Sequence, residues 1–145
     1  MKKRLLQTRK SVKRLNTVQL LIMFECDDWK PERARASNDI SDPTARAAIY
    51  NVDELSPRLE ALHAERDELL SYIGDTLAII EAIRNGLGDK FADACDWLYI
   101  DCMTARDIRL QHGVVKRTLY NRVDIACDWV DSIGVSKLLD GDYEL

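Results

Sequence analysis

Apolar residues recur at helical spacing through most of the chain. From Leu5 to Met23, the positions Leu5, Thr8, Val12, Leu15, Gln19 and Ile22 follow one another in steps of four and three, with further apolar residues at Leu6, Val18, Leu20 and Leu21. That recurrence places them on one face of a helix, and such a stripe needs a partner to cover it. It ends near ECDDWKPE, where Pro31 disfavours helical backbone at Lys30. Residues 30–41 then read as a charged, exposed loop containing Ser37, Asn38 and Asp39. Asp42-Pro43 reads as a helix start, with Asp as the cap and Pro at the first helical position, and predicts a short helix from Pro43 to about Asn51. Ser56-Pro57 repeats the device and restarts or kinks the helix. From there Leu55, Leu59, Leu62, Arg66, Leu69, Ile73, Leu77, Ile80, Ile83 and Leu87 keep close to heptad spacing. At ~1.5 Å per residue such a helix reaches roughly 40 Å or more, which is longer than a small core requires. The first helix is the available partner, and an antiparallel pair or a coiled-coil dimer seam both fit. His63, Glu65, Asp67 and Glu68 form its solvated face, and Asn85-Gly86 with Gly88 stops it.

The C-terminal part has shorter elements. In DKFADACDWLYIDC, residues 89–102, Asp89 can cap a helix whose apolar face is Phe91, Ala94, Cys95, Leu98 and Cys102, with Trp97 and Tyr99 beside it as core aromatics. The next stretch, TARDIRLQHGVVKRTLYNRV at Thr104–Val123, reads as a helix-turn-helix. Thr104 caps a two-turn helix over Ala105 to Gln111, Gly113 supplies the positive φ of the turn, and Ile108 and Leu119 sit where the two helices must touch. Beyond Leu119 the apolar positions continue at Val123, Ala126, Val130 and Ile133, one face of a long second helix. Opposite that face lie Arg117 and Asn121, with Lys116 and Tyr120 on one flank and Thr118 and Arg122 on the other. Three positions depart from the usual unit. Arg109 stands where a small residue is common, His112 stands where a buried Leu is common, and Val115 lacks a capping hydroxyl. A pair of ordinary packed helices with a solvated basic face is the alternative reading. Gly134 ends the last helix, and the acidic tail DGDYEL is expected to fray.

The pattern predicts an all-α fold: a long N-terminal helical hairpin, coiled-coil-like, at 1–87, a helix-turn-helix domain at 88–134 and an acidic tail at 135–145. Composition agrees. Hydrophobic residues make up 46% of 145, enough for a core, while six Gly, three Pro and no alternating β-branched runs argue against strands. No run approaches the ~18 apolar residues of a membrane span, and the basic start lacks the small-residue cleavage site of a signal peptide. Cys26, Cys95, Cys102 and Cys127 form no CxxC pair, and His63 and His112 complete no metal pattern. Free thiols in a reducing cytosol follow as the expectation, with no metal and no cofactor. Catalytic signatures are missing too, whether a Ser/His/Asp order, a phosphate loop or a metal box, so the reading is not an enzyme.

Net charge is −4, but it is unevenly spread. Residues 1–14 carry Lys2, Lys3, Arg4, Arg9, Lys10, Lys13 and Arg14 with no acid, and residues 104–123 carry Arg106, Arg109, Lys116, Arg117 and Arg122 against Asp107 alone. A locally basic surface on an acidic body suits a site-specific DNA contact better than non-specific coating. For the N-terminal run, a merely solubilising terminus is the competing reading.

The run WLYIDCMTARDIRLQHGVVKRTLYNRV resembles the C-terminal unit of RinA/ArpU-like phage and prophage regulators, which is in turn similar to the DNA-reading C-terminal region of bacterial sigma factors. The resemblance rests on Tyr99, Ile100, Asp101, Met103, Thr104, Ile108, Gly113, Arg117 and Tyr120, and upstream on SDPTARAAI at 41–49 followed by a long helix. Cys102 replaces the family's turn Gly, which implies that the preceding helix ends differently. The resemblance implies a transcriptional regulator, typically an activator of late phage genes, in the bacterial cytoplasm. Double-stranded DNA is then the expected partner, with Lys116, Arg117, Tyr120 and Asn121 reaching bases or flanking phosphates. Arg106, Arg109 and Arg122 would touch the backbone, and Thr104 and Thr118 complete the surface. RNA polymerase and a second copy of the chain are further expected partners; a membrane is not. Two other readings stay open: a packaging subunit resembling a small terminase, and a protein-interaction module with a degenerate helix-turn-helix.

Overall fold

In the computed structural model every described element is helical. The description covers the backbone of residues 1–28 and 43–145 and the side chains of residues 1–25 and 57–145. The expected loop at 30–41, the side chain of Cys26 and that of Leu55 lie outside it. Six α-helices follow in order among the described residues: α1 (Lys2–Asp28), α2 (Pro43–Leu87), α3 (Asp89–Cys95), α4 (Ala105–His112), α5 (Lys116–Ile133) and α6 (Val135–Asp140). A π turn, Asp96–Ile100, prolongs α3. The chain divides into two compact units, Met1–Lys13 with Leu70–Leu145, and Arg14–Leu69.

In the unit Arg14–Leu69, α1 and α2 run antiparallel. Arg14 grips Glu65 with two bonds of 2.6 and 3.0 Å, and Arg58 meets Glu25 at 3.1 Å. Leu15 and Val18 carry the buried stripe of α1 here. Leu20, Met23 and Phe24 stay 62–66% exposed, so the apolar surface of α1 exceeds what the described residues cover. The short helix expected at 43–51 and the restart at Ser56-Pro57 are instead parts of one 45-residue helix with Pro57 inside it. A single internal proline costs about 3 kcal/mol. Its neighbours Glu54, Leu55, Leu59, Glu60, Ala61 and Leu62 are strong helix formers that carry the backbone through.

In the other unit, the start of α1 packs on the end of α2 through a partly polar seam. Leu5 joins Ile79, Ile80 and Ile83 in the core, while Thr8, Ser11 and Thr76 are buried between the helices. The hydroxyls of Thr8 and Thr76 lie 2.9 Å apart, and each also reaches a carbonyl one turn back, on Arg4 and Tyr72. The seam thus turns on Thr76 and Ser11, whereas Leu77 and Gln19 of the expected stripes face outward. Small hydroxyl residues allow close approach while their own i−4 carbonyls satisfy them.

α2 continues to Leu87, so Asn85-Gly86 does not end it; Gly88, at φ 110°, does. Gly86 has a packing role, since a Cβ there would come within 2.4 Å of the Trp129 ring on α5. Arg84 then fastens the corner with bonds of 2.9–3.0 Å to Asp89, Asp93 and Asp96. Asp89 is accordingly the first helical residue of α3, with no side-chain cap, rather than its N-cap. α3, α4, α5 and α6 share one core with Leu98, Ile108, Leu119, Val123, Val130 and Leu138. The last of these corrects the expectation that the final helix ends at Gly134: a further helix spans Val135–Asp140, and Leu138 is buried.

Candidate nucleic-acid interface

The turn before the candidate site is built by an irregular helix end. Tyr99 and Leu98 are buried on the π turn, and the amide of Asp101 donates to the carbonyl of Asp96 at 2.8 Å. Cys102 takes φ 54°, the left-handed region, and the Met103 amide donates to the carbonyl of Trp97 at 2.8 Å. That closure is one residue wider than a Schellman bond, as a preceding π turn requires. Cys102 therefore adopts the backbone that a glycine would supply.

Thr104 caps α4 as its sequence position predicts, and does more. Its hydroxyl accepts the Asp107 amide at 3.2 Å, and the Asp107 carboxylate accepts both the Thr104 hydroxyl, at 2.7 Å, and the Thr104 amide, at 3.3 Å. This is a reciprocal capping box. The Thr104 hydroxyl and amide hold the Asp107 carboxyl below the usual carboxylate range. Gly113 ends α4 at φ 70°. Ile108 and Leu119 are both fully buried in one core, and Val123, Ala126, Cys127 and Val130 continue the inner face of α5. These are the relations a helix-turn-helix requires.

The three departures each find a place. Arg109 is exposed, so it does not enter the crossing between α4 and α5. His112 is also exposed, and its ring lies flat on Trp97, with centroids 4.0 Å apart and planes 11° from parallel. Val115 is the N-cap of α5, with extended backbone and no side-chain cap. The first-turn amides of α5 are left without a side-chain acceptor, and no acid stands in that turn.

Most of the candidate residues are exposed, on two consecutive helices. Lys116, Arg117, Thr118, Tyr120 and Asn121 are exposed on the N-terminal half of α5, and Arg122 is half-buried on its flank. Thr104, Arg106 and Arg109 are exposed on α4. Among the described residues, none of Arg106, Arg109, Lys116, Arg117 and Arg122 makes an ion pair, whereas Lys2, Arg4, Arg14, Arg58, Arg66 and Arg84 all do. The C-terminal half of α5 reverses sign with Asp124, Asp128 and Asp131.

One contributor has no counterpart among the residues nominated from the sequence. Arg9, on α1, donates through Nη2 to the carbonyl of Cys102 at 3.5 Å. Only the N-terminal excess of positive charge hinted at it. Burial pushes the Tyr99 hydroxyl up to about 12.

Cys95, Cys102 and Cys127 carry free thiols. Burial pushes Cys95 up to about 12 and Cys127 up to about 11, which suits inert core thiols. Among the described residues no cluster of His, Cys, Asp and Glu could hold a metal ion, and no helix is long and apolar enough to cross a membrane. Comparison with protein-family models, curated proteins and solved structures finds no match.

Proposed function

We propose that the chain is a DNA-binding transcriptional regulator of the phage or prophage type, reading duplex DNA through α5 as the recognition helix. The observation that carries this reading is the set of exposed basic side chains on α4 and α5 that make no ion pair, where most of the other described arginines do. Lys116 and Arg117 at the positive end of a helix dipole work against the helix itself. Phosphate oxygens would offset that cost, and the uncapped first-turn amides of α5 add donors for the same ligand. Arg117 and Asn121, opposite the buried Leu119 and Val123, would then meet base edges. RNA polymerase is the natural protein partner of such a regulator, and the bacterial cytoplasm its place of action. Selection of bound duplexes from a random pool tests the proposal. Enrichment of a defined motif is expected, and recovery of an unenriched pool would overturn it.

A second reading is an oligomeric DNA-packaging accessory similar to a small terminase subunit. The exposed Leu20, Met23 and Phe24 on α1 favour it, because such a strip suits assembly. Solution mass separates the two: a ring of eight or more subunits favours packaging, and a monomer or dimer favours regulation.

A further inference from the structure

The helix-turn-helix has a basic neighbour that its own sequence does not announce. α1 docks alongside α5 through Leu5 in the shared core, through Lys2 on Asp124 at 2.8 Å, and through Arg9 on the carbonyl of Cys102. Cys102 stands two residues before Thr104, the cap of α4. Lys2 lies against Asp124, well along α5, while Arg9 lies against Cys102, just before the start of α4. α1 therefore advances from Asp124 on α5 toward the start of α4 as its numbering rises. Lys10 follows Arg9 in that direction, exposed and, among the described residues, without an ion pair. No acid occurs on α1 before Glu25. Arg9 spends one of its five N–H donors on Cys102 and thereby fixes the helix that presents Lys10.

We propose that α1 supplies a second contact to duplex DNA, in which Lys10, presented beside the helix-turn-helix by the Arg9–Cys102 bond, takes a backbone phosphate flanking the site that α5 reads. The ligand is the sugar–phosphate backbone, so the contact strengthens binding to every sequence alike and places the protein without specifying bases. This proposal rests on the DNA-binding reading above. Lys3 is also exposed and free of an ion pair, but it lies seven residues back, roughly 10 Å along the helix. It serves as an internal control of the same charge.

The test is equilibrium binding across a salt series, with a duplex recovered by selection and a scrambled duplex of equal length. Lys10→Ala should lower the slope of log affinity against log salt by about 0.9 on both duplexes and leave their affinity ratio unchanged. Lys10→Arg should keep the parental slope, as should Lys3→Ala. Both lysines are exposed, and matching helical circular dichroism verifies that the variants fold. An unchanged slope in Lys10→Ala, or an equal loss in Lys3→Ala, would overturn the second contact while parental binding leaves the DNA reading standing. Absence of salt-sensitive duplex binding by the parent would overturn both.

Discussion

Cys102 carries a backbone cost that its side chain does little to offset. At φ 54° a non-glycine residue sits in a region that costs about 1 kcal/mol or more, and its Sγ has only 3.9 Å approaches to the carbonyls of Arg9 and Tyr99. Cys102→Gly is expected to raise stability by about 0.5–1 kcal/mol, after the added chain entropy of glycine is subtracted. Cys102→Val should lower it, and the shift of urea midpoint measures both. The titrating core groups make a second prediction. Cys95, Cys127 and Tyr99 all have folded pKa values pushed up, to about 12, 11 and 12, by burial of the neutral form. Each contributes stability that is present below its unfolded pKa and lost as pH rises toward the folded value. The urea midpoint should therefore fall between pH 9 and pH 11, and a flat profile would contradict the burial of these groups.

Among the elements, the C-terminal end of α2 depends on a missing side chain. A Cβ on Gly86 would meet Cζ2 and Cη2 of Trp129 at 2.4 and 2.8 Å. Gly86→Ala gains about 1 kcal/mol of helix propensity and still should lose about 1–2 kcal/mol net, because overpacking a rigid ring costs more. In a Trp129→Leu background the same change should become stabilising, which thermal unfolding can compare. This glycine shows where sequence reading of the fold runs out. Asn85-Gly86 has the composition of a helix stop, and only tertiary packing reveals that the glycine makes room for Trp129. The seam of Thr8 with Thr76 was hidden for a similar reason, since a hydrophobic pattern points to Leu77 rather than its hydroxyl neighbour. α6 escaped because an acidic tail masks Leu138, whose burial depends on the rest of the core. By contrast, Thr104, Gly113 and the Leu119–Val130 face are set by local backbone chemistry and period, and the sequence located them residue by residue.

For the whole molecule, charge is the organising quantity. Among the described residues of an acidic chain, exposed bases without ion pairs include those on α4 and the start of α5 and Lys10 on α1, while Asp124, Asp128 and Asp131 lie further along α5. The residues nominated on α4 and α5 were legible because helical period alone sorts exposed from buried positions there. Arg9 was not, because a contact spanning 93 residues brings it to Cys102. The central claim is that α5 reads bases through the face opposite Leu119 and Val123. Binding of Arg117→Ala to a selected duplex and to its single-base variants, at one fixed salt concentration, tests that most directly. Arg117 suits guanine through its two-pronged donor fork, so its loss should cost about 1–3 kcal/mol and relax preference at one base position, leaving the others intact. If Arg117→Ala binds every duplex as the parent does, α5 does not read DNA through this face.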